Sequence, residues 1–227
     1  MELYTPSEIE QLQQDLPYLI EISQWLKTFL SRSHPDLGRP GPVCPFVPKA
    51  IKLDCIRLRV IRSHNLVQQQ VINIVLPYLN TFLELEPREQ DDSLNKAILL
   101  LFPDISHEDA PRLIDSVQKE LKPLFVESGL MLGEFHKRNH TPGLHNPNFR
   151  PLRSPIPMLA IRFMVESDLP FLQNAEDLNL RIRYLEAYLK RFENKFKDEN
   201  NFKNARQSLA LAKLEVKTKT LLLYIGG

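Results

Sequence analysis

The stretch GLMLGEFHKRNHTPGLHNPNFRPLRSPIPMLAIRFMV, residues 129–165, decides the fold that we predict. It begins and ends with apolar segments typical of strands, GLMLGEF at 129–135 and MLAIRFMV at 158–165. The connection between them holds three of the chain's six histidines and is too rich in proline for regular structure. The sequence therefore predicts two strands joined by a long polar loop.

Two earlier strands complete the predicted sheet. The segment CIRLRVI at 55–61 alternates between apolar and polar residues, and KAILLLFPDI at 96–105 is almost wholly apolar. Helical patterns lie between the strands, over 65–85 with a kink expected at Pro77, and over 106–121. This order predicts an α+β fold, with a mixed four-stranded sheet covered by helices.

The chain changes character near its end. We predict an α+β domain at 1–173 that contains the functional site, and a C-terminal helical extension at 174–227. Over 175–198, apolar residues recur at a spacing of 4-3-4-3-4, which is typical of a helix that packs against another helix. This seam consists of Leu178, Ile182, Leu185, Leu189, Phe192 and Phe196.

The seam also predicts an oligomer. Large apolar side chains left in water would forfeit about 1.5–3 kcal/mol each, so the seam must be covered. Tyr184 and Tyr188 widen the apolar face beyond what one short helix covers. We therefore predict a homodimer in which this helix contributes to the interface.

Composition and charge exclude several classes of protein. The 227 residues are 43% hydrophobic and 25% charged, which is typical of a globular domain, and a net charge of +1 gives no sign of nucleic-acid binding. No apolar run reaches the roughly 18 residues of a membrane span, and the polar N-terminus is not a secretory signal. Cys44 and Cys55, without a CxxC motif, suit a reducing cytoplasm. We predict a cytoplasmic protein that binds neither nucleic acid nor membrane.

The polar loop gathers side chains that bind metals and anions. His136 ends the third predicted strand, His140 and His145 follow in the loop, and Arg150 and Arg153 precede the fourth strand. Imidazole binds iron, zinc or copper, and guanidinium pairs with carboxylates or phosphates. Two interpretations stay open. The loop holds a haem, a metal or an anionic substrate, or its arginines merely bond to the loop's own carbonyl groups.

Four further residues are candidates for the same site. Cys44, which lies between two prolines, lines a pocket or ligates a metal, or it is simply a small buried side chain. Arg57 and Arg59 share one face of their strand, and Arg162 interrupts an apolar strand. Arginines on a sheet face are either paired with acidic residues of a helix or exposed to a bound anion. We name these three arginines as candidate substrate ligands and expect Arg162 to be partly buried and paired.

Four short motifs resemble the bacterial YqcI/YcgG family of haem-dependent enzymes in order and in sheet context over residues 38–166. The family's Phe-Pro-Cys is Pro-Val-Cys here, and Lys137 replaces the proline that follows the family's histidine. The chain as a whole is more similar to an uncharacterised domain family of cyanobacteria and actinobacteria. The motifs are GPVCPF at 41–46, GEFHK at 133–137 (with GLHNP at 143–147 as a second match), FRPLRSP at 149–155 and PMLAIRFMV at 157–165.

This resemblance implies a haem b cofactor and an oxygenase. His136 would be the axial ligand, with His145 as the alternative, Arg150 and Arg153 would contact the propionates, and Cys44 would line the pocket. The implied reaction is N-hydroxylation of an amine or guanidine group of a small-molecule substrate. The alternatives are a non-haem metal or anion-binding enzyme on the same loop, and a non-enzymatic, dimeric interaction protein.

Overall fold

The structure is a computed structural model that describes residues 5–87, 93–193 and 196–225, with side chains as far as residue 219. Within these ranges, no helix combines the length and the apolar character that crossing a membrane requires. The strands are β1 Ile56–Val60, β2 Ala97–Leu101, β3 Leu130–Phe135 and β4 Met158–Phe163. The α-helices are α1 Pro6–Trp25, α2 Val47–Lys52, α3 Gln68–Val75, α4 Tyr78–Glu84, α5 Ala110–Glu127, α6 Leu169–Gln173, α7 Leu178–Arg191 and α8 Glu199–Ile225.

The four strands form one mixed sheet in the order β1-β2-β4-β3. β1 runs parallel to β2, and β2 runs antiparallel to β4. This confirms the predicted α+β fold. The predicted helix at 65–85 is interrupted where expected, since α3 ends at Val75 and α4 begins at Tyr78, after Pro77.

Three of the strands end at the same side of the sheet. The N–H group of Met164 donates to the carbonyl oxygen of Gly129 at 3.0 Å, so the end of β4 lies beside the beginning of β3. β3 is therefore antiparallel to β4 and runs in the same direction as β1 and β2. We call the side at which β1, β2 and β3 end the carboxyl end of the sheet. The polar loop that starts at His136 begins there.

β1 packs one face against a core, as the alternation of apolar and polar residues in its sequence predicts. Ile56, Leu58 and Val60 face a core that is covered by Ile22 of α1 and by Leu26, which follows directly after α1. Each large apolar side chain buried in this way stabilises the fold by about 1.5–3 kcal/mol. β2 is apolar on both faces because it lies between two neighbouring strands and under helices.

α1 also leaves apolar side chains in solvent. Four of them lie along one side of the helix at a spacing of 3-4-4, and each is about half exposed. We call this row the α1 stripe. It consists of Ile9, Leu12, Leu16 and Ile20.

The chain divides into two compact units. The first contains the residues up to Glu120 together with Leu132–Arg162, and the second contains Leu121–Met131 together with the residues from Phe163 onward. The boundary predicted between residues 173 and 174 therefore lies inside the second unit. The reason is that apolar side chains before this boundary, including Val126 and Met164, pack in one cluster with those of α6 and α7.

The predicted seam is partly covered inside the second unit. Leu185 is buried and the other seam residues are half-buried. Tyr184 and Tyr188, which we expected to widen the apolar face, are buried in the same cluster. The predicted helix over 175–198 is shorter in the structure, ending at Arg191, and residues 194 and 195 lie outside the described part of the chain. The homodimer stays a prediction.

Candidate functional site

His136 is the most enclosed of the predicted site residues. Its side chain is 1% exposed, and it follows directly after β3, which carries it to the carboxyl end of the sheet. Its Nε2 atom lies 2.9 Å from Oδ1 of Asp115 on α5. Its Nδ1 atom is buried without a hydrogen-bond partner in the part of the chain that the structure describes. The ring therefore has one nitrogen engaged and one enclosed.

Asp115 is the solvent-exposed member of the His136–Asp115 pair. Burial raises the pKa of its carboxyl group, and the neighbouring imidazole opposes this rise through its charge and its hydrogen bond. The carboxylate side chain is nevertheless 43% exposed. The pair can hold a proton between Nε2 and Oδ1, with exchange to water through the aspartate.

The other two histidines of the loop do not join His136. His140 and His145 are exposed. The backbone of His145 packs on Gly38, where an added Cβ atom would lie 2.7 Å from the carbonyl oxygen of His145. Gly38 also has a φ of +76°, so both its conformation and its surroundings require glycine. The loop is thus docked on the turn that contains Gly38.

The two loop arginines bind the loop itself. Nη1 of Arg150 donates to the carbonyl oxygens of Pro147 and Phe149, the latter at 3.0 Å. Nε of Arg153 donates to the carbonyl oxygen of Asn139 at 3.3 Å. This is the arrangement of a structural loop, and no hydrogen bond from either guanidinium to His136 lies in the described part of the chain.

These placements do not fit a haem b group at the predicted residues. A ligand bond from Nε2 of His136 would displace Asp115, and Nδ1, the other ring nitrogen, is buried. Cys44 is half-buried and packs against the α1 core. Among the residues that the structure describes, no three side chains of His, Cys, Asp or Glu come together as a metal site would require. We therefore derive no step through haem or another metal.

The three candidate substrate arginines lie on two faces of the sheet. Arg57 is in register with Ile98 and Arg59 with Leu100, so both lie on the face opposite α1. Arg162 lies on the α1 face and is half-buried, as expected. The structure therefore separates Arg162 from the other two.

A cluster that sequence reasoning missed lies where β1 and β2 end. Arg62 forms ion pairs with Asp15 of α1, at 2.5 Å, and with Asp104 beyond β2, at 3.3 Å. Asp104 also accepts the N–H group of Ser63 at 2.9 Å, and the Arg62 guanidinium lies 5.4 Å from the ring centre of Tyr18. Burial by itself would lower the pKa of Arg62, but the two carboxylates outweigh it and raise the pKa. The ion pairs of Arg62 thus link α1 to the ends of β1 and β2.

A cleft of about 580 Å³ opens beside this cluster. α1 lines one side with Leu12 and Asp15, and Ile74 and Tyr78 line the opposite side. Arg59 and Arg62 lie between them. A second groove, of about 560 Å³, follows the first half of β1, between α1 and Ile56, Arg57 and Leu58. We call the first of these spaces the Arg59 cleft.

Arg59 differs from Arg62 in one respect. Within the described ranges, its guanidinium has no hydrogen-bond or ion-pair partner, and the side chain is exposed. The sequence contained a signal for this region, because Arg62 follows directly after the predicted strand at 55–61 and Asp104 lies at the end of the predicted strand at 96–105. Ends of parallel strands meet at one side of a sheet and commonly form binding sites.

Comparison with known proteins identifies the family of the chain. A family model described as "Domain of unknown function (DUF6875)" matches residues 19–203. The chain belongs to this family. No curated protein and no solved structure matches it. The match includes all four strands of this DUF6875 chain and most of its helices. The family description states no activity. The resemblance to the YqcI/YcgG enzymes stays a prediction.

Proposed function

We propose that this protein binds a ligand with an anionic group, a carboxylate or a phosphate ester, through Arg59 in the Arg59 cleft. The observation that carries this proposal is the contrast between two neighbouring arginines. Arg62 is neutralised by Asp15 and Asp104, whereas Arg59 lines the same cleft without a partner among the described residues. An unpaired guanidinium beside a cleft forms bidentate hydrogen bonds with carboxylates and phosphates.

The walls of the cleft support the same ligand class. Leu12 and Ile74 supply apolar surface, and the partly buried Tyr78 adds a hydroxyl group. Two carboxylates also line the cleft. Arg62 compensates the charge of Asp15, and Glu8 accepts the N–H group of Thr5 at the start of α1. Ligand sites in proteins commonly combine mostly apolar walls with a few polar groups that set the orientation of the ligand.

This proposal corresponds to the anion-binding alternative that the sequence left open, but it places the ligand at Arg59 and away from the polar loop. The haem-dependent oxygenase stays a prediction that rests on the resemblance alone. His136 and Asp115 do not line the Arg59 cleft, so we assign them no part in ligand binding.

Titration calorimetry with citrate, succinate and phenyl phosphate at low ionic strength tests the proposal. We expect at least one of these anions to bind and Arg59→Gln to weaken its binding about tenfold or more, because a charge-assisted hydrogen bond contributes about 1.5–3 kcal/mol. Arg57→Gln is the matched control, since Arg57 lies outside the cleft and donates to Asp54 and Ile56. Equal binding by wild type and Arg59→Gln, or no binding by any of the three anions, would contradict the proposal.

A further inference from the structure

The free edge of β1 has unused backbone groups. The N–H group of Ile61 donates to Leu101 at 2.8 Å, and the carbonyl oxygen of Cys55 accepts from Ala97 at 3.2 Å. Backbone groups alternate in direction along a strand, so the odd-numbered residues face β2 and Leu58 faces the other way. The same holds for Val60. No hydrogen-bond partner for these outward groups lies in the described part of the chain.

Only the beginning of this edge is closed. Arg57 turns its guanidinium back and donates to the outward carbonyl oxygen of Ile56 at 3.2 Å and to that of Asp54 at 2.6 Å. Proteins commonly use such charged groups to block the ends of an edge strand. The open part of the edge therefore runs from Leu58 to Val60.

The two sides of the open edge differ in chemistry. On the α1 side lies the α1 stripe, in which Leu12, Leu16 and Ile20 are 46%, 52% and 48% exposed. On the other side lies the unpaired Arg59, with Tyr78 beyond it in the same cleft. One side therefore favours apolar groups and the other favours an anion.

We propose that β1 is a docking edge for an extended peptide segment, which adds to the sheet beside Leu58 and Val60. Its side chains would alternate, with apolar residues toward the α1 stripe and an aspartate or glutamate opposite Arg59. This inference rests on the proposed function and identifies the anion as a peptide carboxylate. A free metabolite satisfies Arg59 alone, whereas a strand also satisfies the outward N–H and C=O groups of β1.

A second copy of β1, paired in the register centred on Leu58, fits this edge less well than an acidic segment. An antiparallel pair of two β1 strands centred on Leu58 would place Arg57 of each strand opposite Arg59 of the other. Like charges directly opposite one another destabilise a sheet. The charge pattern of the edge therefore selects an acidic segment.

The probe is a fluorescein-labelled heptapeptide that alternates valine and glutamate, and the measurement is fluorescence anisotropy with the full chain. The control peptide carries lysine in place of glutamate. We expect the acidic peptide to bind and the lysine peptide to bind at least about tenfold more weakly. We expect Arg59→Gln to weaken binding of the acidic peptide by a similar factor.

Leu58→Pro tests the strand geometry. Proline at this position removes the outward N–H group and leaves the bonds to β2 in place, since proline is tolerated where the N–H group of an edge strand faces solvent. Leu58→Ala is the matched variant, because it also shortens the side chain but keeps the N–H group. We expect Leu58→Pro to abolish peptide binding and Leu58→Ala to reduce it by less than about threefold.

Amide hydrogen exchange of the wild type provides a second measurement that does not depend on the folding of a variant. The amides of Leu58 and Val60 should exchange more slowly when the acidic peptide is bound. If small carboxylates bind through Arg59 but the peptide does not bind, or binds without protecting these amides, the inference is wrong and the proposed function stands. If neither small anions nor the peptide respond to Arg59→Gln, both are wrong.

Discussion

His136 and Asp115 are 21 residues apart in the chain, yet Nε2 of the histidine lies 2.9 Å from Oδ1 of the aspartate. The contact joins the end of β3 to the second turn of α5. The imidazole already has an acidic partner, which the sequence alone does not reveal.

Replacement of His136 should therefore change stability and leave the absorption spectrum unchanged. We expect His136→Ala to lower the free energy of unfolding by about 1–3 kcal/mol, because a packed, hydrogen-bonded side chain is lost. Urea unfolding measures the stability, and an absorption spectrum of the purified protein tests for haem near 400 nm, the usual Soret region. A Soret band in the wild type that disappears in His136→Ala would establish the haem prediction and overturn our interpretation of the loop.

Two carboxylates, Asp115 and Glu127, should affect the pH dependence of stability in opposite directions. Burial raises the pKa of Asp115 above the unfolded value of 3.8. The stability that Asp115 contributes to the folded state is therefore present below pH 3.8 and is lost as the pH rises through the folded pKa. The hydrogen bond from Arg183 lowers the pKa of Glu127 below the unfolded value of 4.5. The stability that Glu127 contributes to the folded state is therefore present above pH 4.5 and is lost as the pH falls through the folded pKa.

The experiment compares Asp115→Asn and Glu127→Gln with the wild type in urea unfolding between pH 3 and pH 8. The stability of Asp115→Asn relative to wild type should improve as the pH rises, and that of Glu127→Gln should improve as the pH falls. Parallel pH curves for wild type and either variant would show that the carboxylate in question does not contribute in this way.

The ion pairs of Arg62 should contribute measurably because they form a network. A double-mutant cycle with Arg62→Met and Asp104→Asn should give a coupling energy of roughly 1 kcal/mol, at the upper end for a partly exposed pair. The same cycle with Asp109 and Arg112, an exposed pair at 3.3 Å where α5 begins, is the control and should give a smaller coupling energy. Equal coupling in the two cycles would mean that Arg62 is an ordinary surface charge.

The buried side chain of Tyr188, which packs in the same cluster as Leu185, leads to a further prediction. Its hydroxyl group donates to the carbonyl oxygen of Glu166 at 2.8 Å, and burial raises its pKa. We expect Tyr188→Phe to cost about 1 kcal/mol of unfolding free energy and Tyr188→Ala about 3–5 kcal/mol, without a change of oligomeric state. Light scattering at several protein concentrations measures that state. A wild-type dimer that dissociates in Tyr188→Phe would restore the predicted interface.

The polar loop shows which structural features the local sequence determines and which it does not. Its lack of regular structure follows from its prolines, and its location between two strands follows from the apolar segments on either side. The partners of Arg150 and Arg153 did not follow, because a guanidinium beside a proline-rich turn has carbonyl groups of the same loop and distant anions equally within reach. Only the path of the folded loop decides between them.

The sequence by itself determined the strands, most helices and the α+β class, because period-two and period-3.6 patterns arise from side chains only a few residues apart. It also determined that Arg57 and Arg59 share a face, since alternate residues of a strand do so. The tertiary structure decided which charges are compensated. Arg62 meets Asp15 across 47 residues and Asp104 across 42, whereas Arg59, three residues before it, meets no partner among the described residues. That difference arises from the order of strands in the sheet and the position of α1 against β1, which no local pattern encodes.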